Sequence, residues 1–147
     1  MAKQAKEKKV KLNKKMLTNV MKDIDFCMMT TNGARGRLHS RPMSNNRNVD
    51  WDGETWFFSY ADSSQVKELK KDSSVSLGYA LPEEILFVAL AGKGEIVKDN
   101  AKKKELWYDE LERWFPEGPE DKKVVLIKVD AKLAHYWGKD GEGELAL

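Results

Sequence analysis

Three short clusters carry side chains able to grip a ligand: Ser40-Arg41-Pro42-Met43, Trp56-Phe57-Phe58-Ser59 and Ser63-Ser64-Gln65-Val66-Lys67. A phosphate dianion needs fixed cations and hydroxyl or N–H donors. Arg41, Lys67 and the hydroxyls of Ser59, Ser63 and Ser64 are of those types. Two serines ahead of a helical segment also leave free backbone N–H groups and a partial positive charge at its start. Lys67 falls one turn past Ser63 and Ser64, where it leans back toward that terminus. A flat ring system needs an apolar wall, and the aromatic cluster supplies one. Together the clusters describe a site for a phosphorylated aromatic ligand. Taken singly, each has a simpler role: serine as a cap, lysine as a solvated charge, aromatics as core.

The remaining reactive side chains form no comparable group. Cys27, the lone cysteine, sits in the apolar run Phe26-Cys27-Met28-Met29 and reads as a small buried hydrophobe. One cysteine allows no internal disulfide and no cysteine metal cluster. His39 and His135 lack ligand spacing such as HExxH, so each reads as a strand-borne, satisfied histidine, and no metal site is assigned. Gly92-Lys93-Gly94 lacks the further residues of a dinucleotide fingerprint or a P-loop. Asp109, Glu110 and Glu112 read as the solvated face of a helix. There is no GxSxG and no triad, and no residue is assigned as a general acid or base.

The chain of 147 residues fits one domain, with 41% apolar and 34% charged residues. Residues 1–15 hold seven lysines and one acid, a segment of +6 in a chain of formal net charge +2, which leaves the remainder at −4. Residues 1–12 read as a solvated, disordered basic tail. It carries no aromatic for base stacking and no basic stripe continues it, so nucleic acid is not the expected partner. No apolar run follows the lysines as a secretory leader would require, and none is long enough to span a membrane. A single thiol suits a reducing cytoplasm.

The elements that must position the clusters follow from periodicity. Leu12, Met16, Val20 and Ile24 mark an amphipathic helix over about 13–24. Strands are expected over 26–31 and 37–43, joined by a turn holding Asn32-Gly33 and Arg35-Gly36. Pro42 belongs at an edge, because it lacks an N–H. After the Asp52-Gly53 turn come a strand at 55–60, a short helix at 64–71, and strands at 75–81 and 85–97. Gly92 and Gly94 predict a bulge in the last of these. A second helix is expected over 99–114, capped by Asp99 and stopped by Pro116 and Gly118. A strand follows at 123–129, with 132–137 as the last strand or its extension, and the acidic segment 139–147 is expected to fray as a C-terminal tail. Six or seven strands that do not alternate with helices argue for a mainly β, mostly antiparallel barrel with peripheral helices. A closed barrel would leave no hydrophobic edge.

Leu38-His39-Ser40-Arg41-Pro42-Met43, then Trp56-Phe57-Phe58-Ser59, then Ser63/Ser64 with Lys67-Glu68-Leu69, resemble the general stress protein branch of the pyridoxamine 5′-phosphate oxidase-like flavoproteins. Gly92-Lys93-Gly94-Glu95, Leu106-Trp107, Trp114-Phe115-Pro116-Glu117-Gly118 and Tyr136-Trp137 are similar too, so the resemblance spans roughly 16–138. It implies a split β-barrel, over 13–138, that works as a homodimer with FMN at the interface. Arg41 would bind phosphate or the ribityl chain, and Pro42 and Met43 would present backbone to the flavin's polar edge. Phe58 and Ser59 match the pair beside ring and phosphate. Ser64 and Lys67 match the phosphate-binding turn, and Trp107 would reach the flavin from the second subunit. Two departures stand out. Asn46 occupies the place of a lysine in the related oxidases. The end of the chain offers His135 without the arginine expected for the vitamin substrate, which argues against pyridoxamine phosphate oxidation. The implied activity is a flavin-dependent oxidoreductase. The alternatives are a non-catalytic flavin carrier or sensor, and a flavin-free dimeric interaction module.

Overall fold

A computed structural model describes residues 8–45 and 51–147. The chain runs α1 (Lys14–Met21), β1 (Phe26–Asn32), β2 (Leu38–Ser44), β3 (Glu54–Tyr60), α2 (Ser64–Lys71), β4 (Ser74–Leu81), β5 (Leu86–Val97), α3 (Asn100–Leu106), β6 (Val124–Gly138) and β7 (Gly141–Ala146). All seven strands pair antiparallel in one curled sheet of order β2-β1-β4-β5-β6-β3, with β7 also on β6. The expected mainly β split barrel is present. Among the described residues no ladder joins β2 to β3, however, so the sheet curls without closing and both remain edges. Pro42 lies on the β2 edge, where its missing N–H costs no ladder bond.

Local chemistry explains the element boundaries. Asn13 caps α1, its side chain accepting from the Met16 N–H, and Ser63 caps α2 through the Val66 N–H. The turn between β1 and β2 places Arg35 at φ 62° and Gly36 at φ 71°. The bulge falls between Ala91 and Gly92, as the glycines predict. A Cβ on Gly92 would lie 2.1 Å from the Asp130 carbonyl oxygen, so only glycine fits there.

Three expectations are corrected. The helix expected over 99–114 stops at Leu106, and a 3₁₀ turn covers Asp109–Arg113. Trp107 and Tyr108 between them are extended. Trp107 then meets the Phe58 ring edge-on at 5.4 Å, and the Tyr108 hydroxyl shares a 2.7 Å hydrogen bond with that of Ser44. Tertiary contacts here outweigh helical periodicity. Residues 132–137 extend the preceding strand into one continuous β6, one of the two forms expected, but the acidic end does not fray: Gly141–Ala146 pairs with it as β7. The basic leader is also structured from Lys8 onward. Lys9 bridges Glu142 in parallel, and Leu12 is buried in the core. Gly141 and Gly143 make this possible, since a Cβ on either would collide with the carbonyl oxygens of Lys8 and Val10.

The main core lies inside the curl, from Leu17 and Met29 through Phe57, Leu77 and Leu90 to Ile127. A second cluster on the other face of β3 and β6 joins Phe58, Leu106, Leu111, Phe115, Val124 and Leu126 under α3 and the 3₁₀ turn. β3 feeds both, because adjacent strand residues point to opposite faces. A cavity of about 40 Å³ beside Trp51, Thr55 and Tyr79 holds little more than a water molecule. That cavity is too small for a ligand of cofactor size.

Candidate functional site

The two unpaired edges face each other across a groove of about 400 Å³. β2 lines it with Pro42, Met43 and Ser44, and β3 with Phe58, Ser59 and Tyr60. Ser63 and Gln65 close one end from the start of α2, while Leu111, Trp114 and Phe115 roof it, with Phe26 at the rim. The volume is that of a small-molecule site, and the lining is mostly apolar with a few convergent polar groups.

The aromatic side is ordered by ring contacts. Phe115 lies 5.0 Å from Tyr60 and 6.3 Å from Phe58, and Trp114 meets Phe26 edge-on at 5.8 Å. The Tyr60 hydroxyl donates to the Trp114 carbonyl at 3.0 Å, which ties the roof to β3. The polar end is a compact relay. Ser59, only 2% exposed, shares a 2.8 Å hydrogen bond with Ser63 and accepts from the Gln65 amide at 3.0 Å. All three groups are neutral. Among the described residues the groove lining supplies no carboxylate and no imidazole.

The sequence-derived residues separate into three places. Pro42, Met43, Phe58 and Ser59 share the groove. Ser64 and Lys67 lie on the other side of the α2 N-terminus, lining a second hollow of about 500 Å³ with Gly33, Gly36, Glu68 and Lys71. Arg41 and Trp107 line neither hollow. Trp107 packs behind the groove wall against Phe58. Arg41 donates to the Thr31 hydroxyl at 2.7 Å and to Glu68 of α2 at 3.2 Å. Glu68 also accepts from Thr31 and from His39 Nδ1, each at 2.6 Å. The Thr31 hydrogen bond, then those of His39 and Arg41, hold its carboxyl below the usual carboxylate range. Asn46 lies outside the described residues.

Gln65, Ser44, Tyr60 and Trp114 belong to the groove although none was among the expected cofactor-binding residues. Gln65 could have been found from its place in the first turn of α2, two residues after the capping Ser63. Ser44 and Trp114 meet only through the curl, which no local pattern records. Both histidines have partners, as expected: His39 has Glu68, while His135 lies 3.4 Å from Glu144 and stacks on Trp137 at 4.9 Å. Cys27 is buried, and burial pushes its thiol up to about 12, as expected of a small core residue. No group of acids, histidines and cysteines among the described residues could hold a metal.

The order of strands, the open ladder and the groove between its edges define a split-barrel architecture. The chain belongs to the pyridoxamine 5′-phosphate oxidase like family, whose model matches residues 13–146. It is similar in fold to a protein from Clostridium acetobutylicum related to general stress protein 26 of B. subtilis. The TM-score is 0.79 at 22% identity, covering 92% of this chain and 97% of that one. It also resembles a general stress FMN/FAD binding protein from Xanthomonas citri, with TM-score 0.73 at 25% identity over 85% of this chain and 87% of the other. Protein bli-3 of Neurospora crassa is 27% identical over 129 residues, 82% of this chain. The chain spans about 62% of the length of that relative. No helix among the described residues is long and apolar enough to cross a membrane.

Proposed function

We propose that this protein binds FMN in the groove between β2 and β3 and acts as a flavin-dependent oxidoreductase of the general stress protein type. One observation carries the reading: Pro42 and Met43 from one open edge and Phe58 and Ser59 from the other line a single hollow of ligand size. Phe58 and the Tyr60–Phe115 pair present an apolar wall to a planar ring. The Pro42–Ser44 backbone, on an edge without a second ladder partner, offers polar groups to the ring's polar margin. Ser59, Ser63 and Gln65 provide neutral partners for ribityl hydroxyls. Ser64 and Lys67, on the adjoining side of the α2 terminus, receive the phosphate. The bound flavin supplies the redox chemistry, while the chain supplies position and exclusion of water. A carrier or sensor is the second reading, favoured by the lack of any carboxylate or imidazole among the described residues of the groove lining.

The same reading includes a homodimer. The outer sheet face is flat at its centre, where Gly78 stands between Met28 and Ala89, and Ser76 between Thr30 and Ala91. Large apolar side chains rim it, with Phe26 47%, Met28 46% and Leu38 68% exposed. Such a face suits an isologous contact between copies. It runs directly into the groove through Phe26 and Pro42, which supports a flavin site at the interface of the dimer. The single buried thiol is consistent with cytoplasmic placement.

The test is the visible absorption spectrum of the purified, desalted protein, with chromatography of any chromophore released by heat and sedimentation of the same sample. The reading expects a yellow dimer releasing FMN. A colourless protein that also fails to take up added FMN contradicts it and leaves a flavin-free interaction module.

A further inference from the structure

We propose that the outer edge of β7 is a strand-addition site for an extended, lysine-rich peptide segment, and that the chain's own leader fills it in cis. The inference does not depend on the flavin reading.

β7 pairs on one edge with β6. Along its other edge the leader runs parallel to it, and both backbone groups of Glu142 are used there. The Glu142 N–H donates to the Lys8 carbonyl at 2.9 Å, and the Glu142 carbonyl accepts from the Val10 N–H at 2.7 Å. Gly141 and Gly143 flank this pair. A Cβ on them would lie 2.1 Å from the Lys8 carbonyl oxygen and 2.3 Å from that of Val10. The strip therefore admits another backbone at close range, as recognition by an added strand requires.

The leader's side chains divide by the strand period. Leu12 is buried in the core and Val10 packs against it, while Lys8, Lys9 and Lys11 stay exposed. Lys9 shares a hollow of about 310 Å³ with Glu142 and Glu144 of β7 and His135 of β6. A basic segment thus lies on an acidic edge. Two copies of that edge would set glutamates against glutamates, which disfavours pairing of β7 with itself. The fitting partner is an extended segment with aliphatic residues at alternate positions and lysines between them. Beyond Gly143 the edge stays exposed at Glu144 and Ala146, so it has room for a longer segment than the leader supplies. A tethered leader acts at a high effective concentration, so a segment in trans must displace it to bind.

Fluorescence anisotropy with a labelled peptide of residues 6–13 tests this on the full chain. Val10→Pro removes the N–H that Glu142 accepts and leaves β7 unaltered. That variant should bind the peptide on the order of tenfold more tightly than wild type, because its own leader competes less. Adding Gly143→Val should abolish the binding. A peptide with its lysines replaced by glutamate should bind on the order of tenfold more weakly. In wild type, saturating peptide should speed hydrogen exchange at the Val10 amide while the Glu142 amide stays protected, a measurement that holds even if Val10→Pro folds poorly. No binding by Val10→Pro, equal binding by wild type, binding that survives Gly143→Val, or indifference to the lysines overturns the proposal. So does wild-type exchange at Val10 that saturating peptide leaves unchanged.

Discussion

At the scale of single residues, the groove and its surroundings show which side-chain roles a sequence can reveal. Capping by Ser63 was legible because a cap is a local event within three residues. The ring of Phe58 and the hydroxyl of Ser59 were legible as an aromatic–hydroxyl pair on a strand, though not that Ser59 would join Ser63 and Gln65 in a relay. The surroundings of Arg41 were not legible at all. Its partner Glu68 lies 27 residues away on another element, and only the packing of α2 against β1, the neighbour of β2, brings them together. Lys67 lines the hollow beside the start of α2. If it receives the phosphate, Lys67→Ala should weaken FMN while leaving riboflavin nearly untouched. The side chain is exposed, so screening keeps the loss near ~1 kcal/mol rather than the larger value of a buried pair. Titration with both flavins reads this directly, and equal weakening of the two removes Lys67 from the phosphate site.

At the scale of elements, strands and short helices were legible where hydrophobic periodicity and turn residues agreed. β3 and α2 begin and end within a residue of expectation. Agreement failed where a distant contact overrode a local pattern. The segment 99–114 reads as one helix, yet Trp107 and Tyr108 break it to reach Phe58 and Ser44. The glycine-rich acidic end reads as a tail, yet it pairs with β6 as β7 and its glycines admit the leader's backbone alongside. The α2–β2 junction makes a pH prediction. Glu68 is held below its ordinary value by Thr31, His39 and Arg41. A carboxylate with a depressed folded-state value stabilises the fold above its unfolded value, and that contribution disappears as pH falls through the folded value. Denaturant midpoints of wild type and Glu68→Gln should therefore differ at neutral pH and converge in acid below the usual carboxylate range. A gap that stays constant into strong acid would show that the charge of Glu68 contributes nothing.

At the scale of the whole molecule, fold class and antiparallel pairing followed from element order, because strands without intervening helices cannot form a doubly wound sheet. Whether the barrel closes did not follow, since closure depends on register and curl rather than on any one strand. That failure to close is what creates the groove, with the open edges of β2 and β3 as its walls. The central claim is that flavin occupies this gap. The most direct measurement is FMN titration of the flavin-free Ser44→Trp variant beside wild type, with melting temperature recorded for both. Ser44 lies half-buried in the groove on an edge strand, so an indole there fills the hollow without entering the core. The account predicts that wild type binds FMN and that the variant loses at least about tenfold in affinity, roughly the 1.4 kcal/mol cost of displacing a ring from its wall, while still melting cooperatively. A folded variant that binds FMN as wild type does would place the flavin elsewhere.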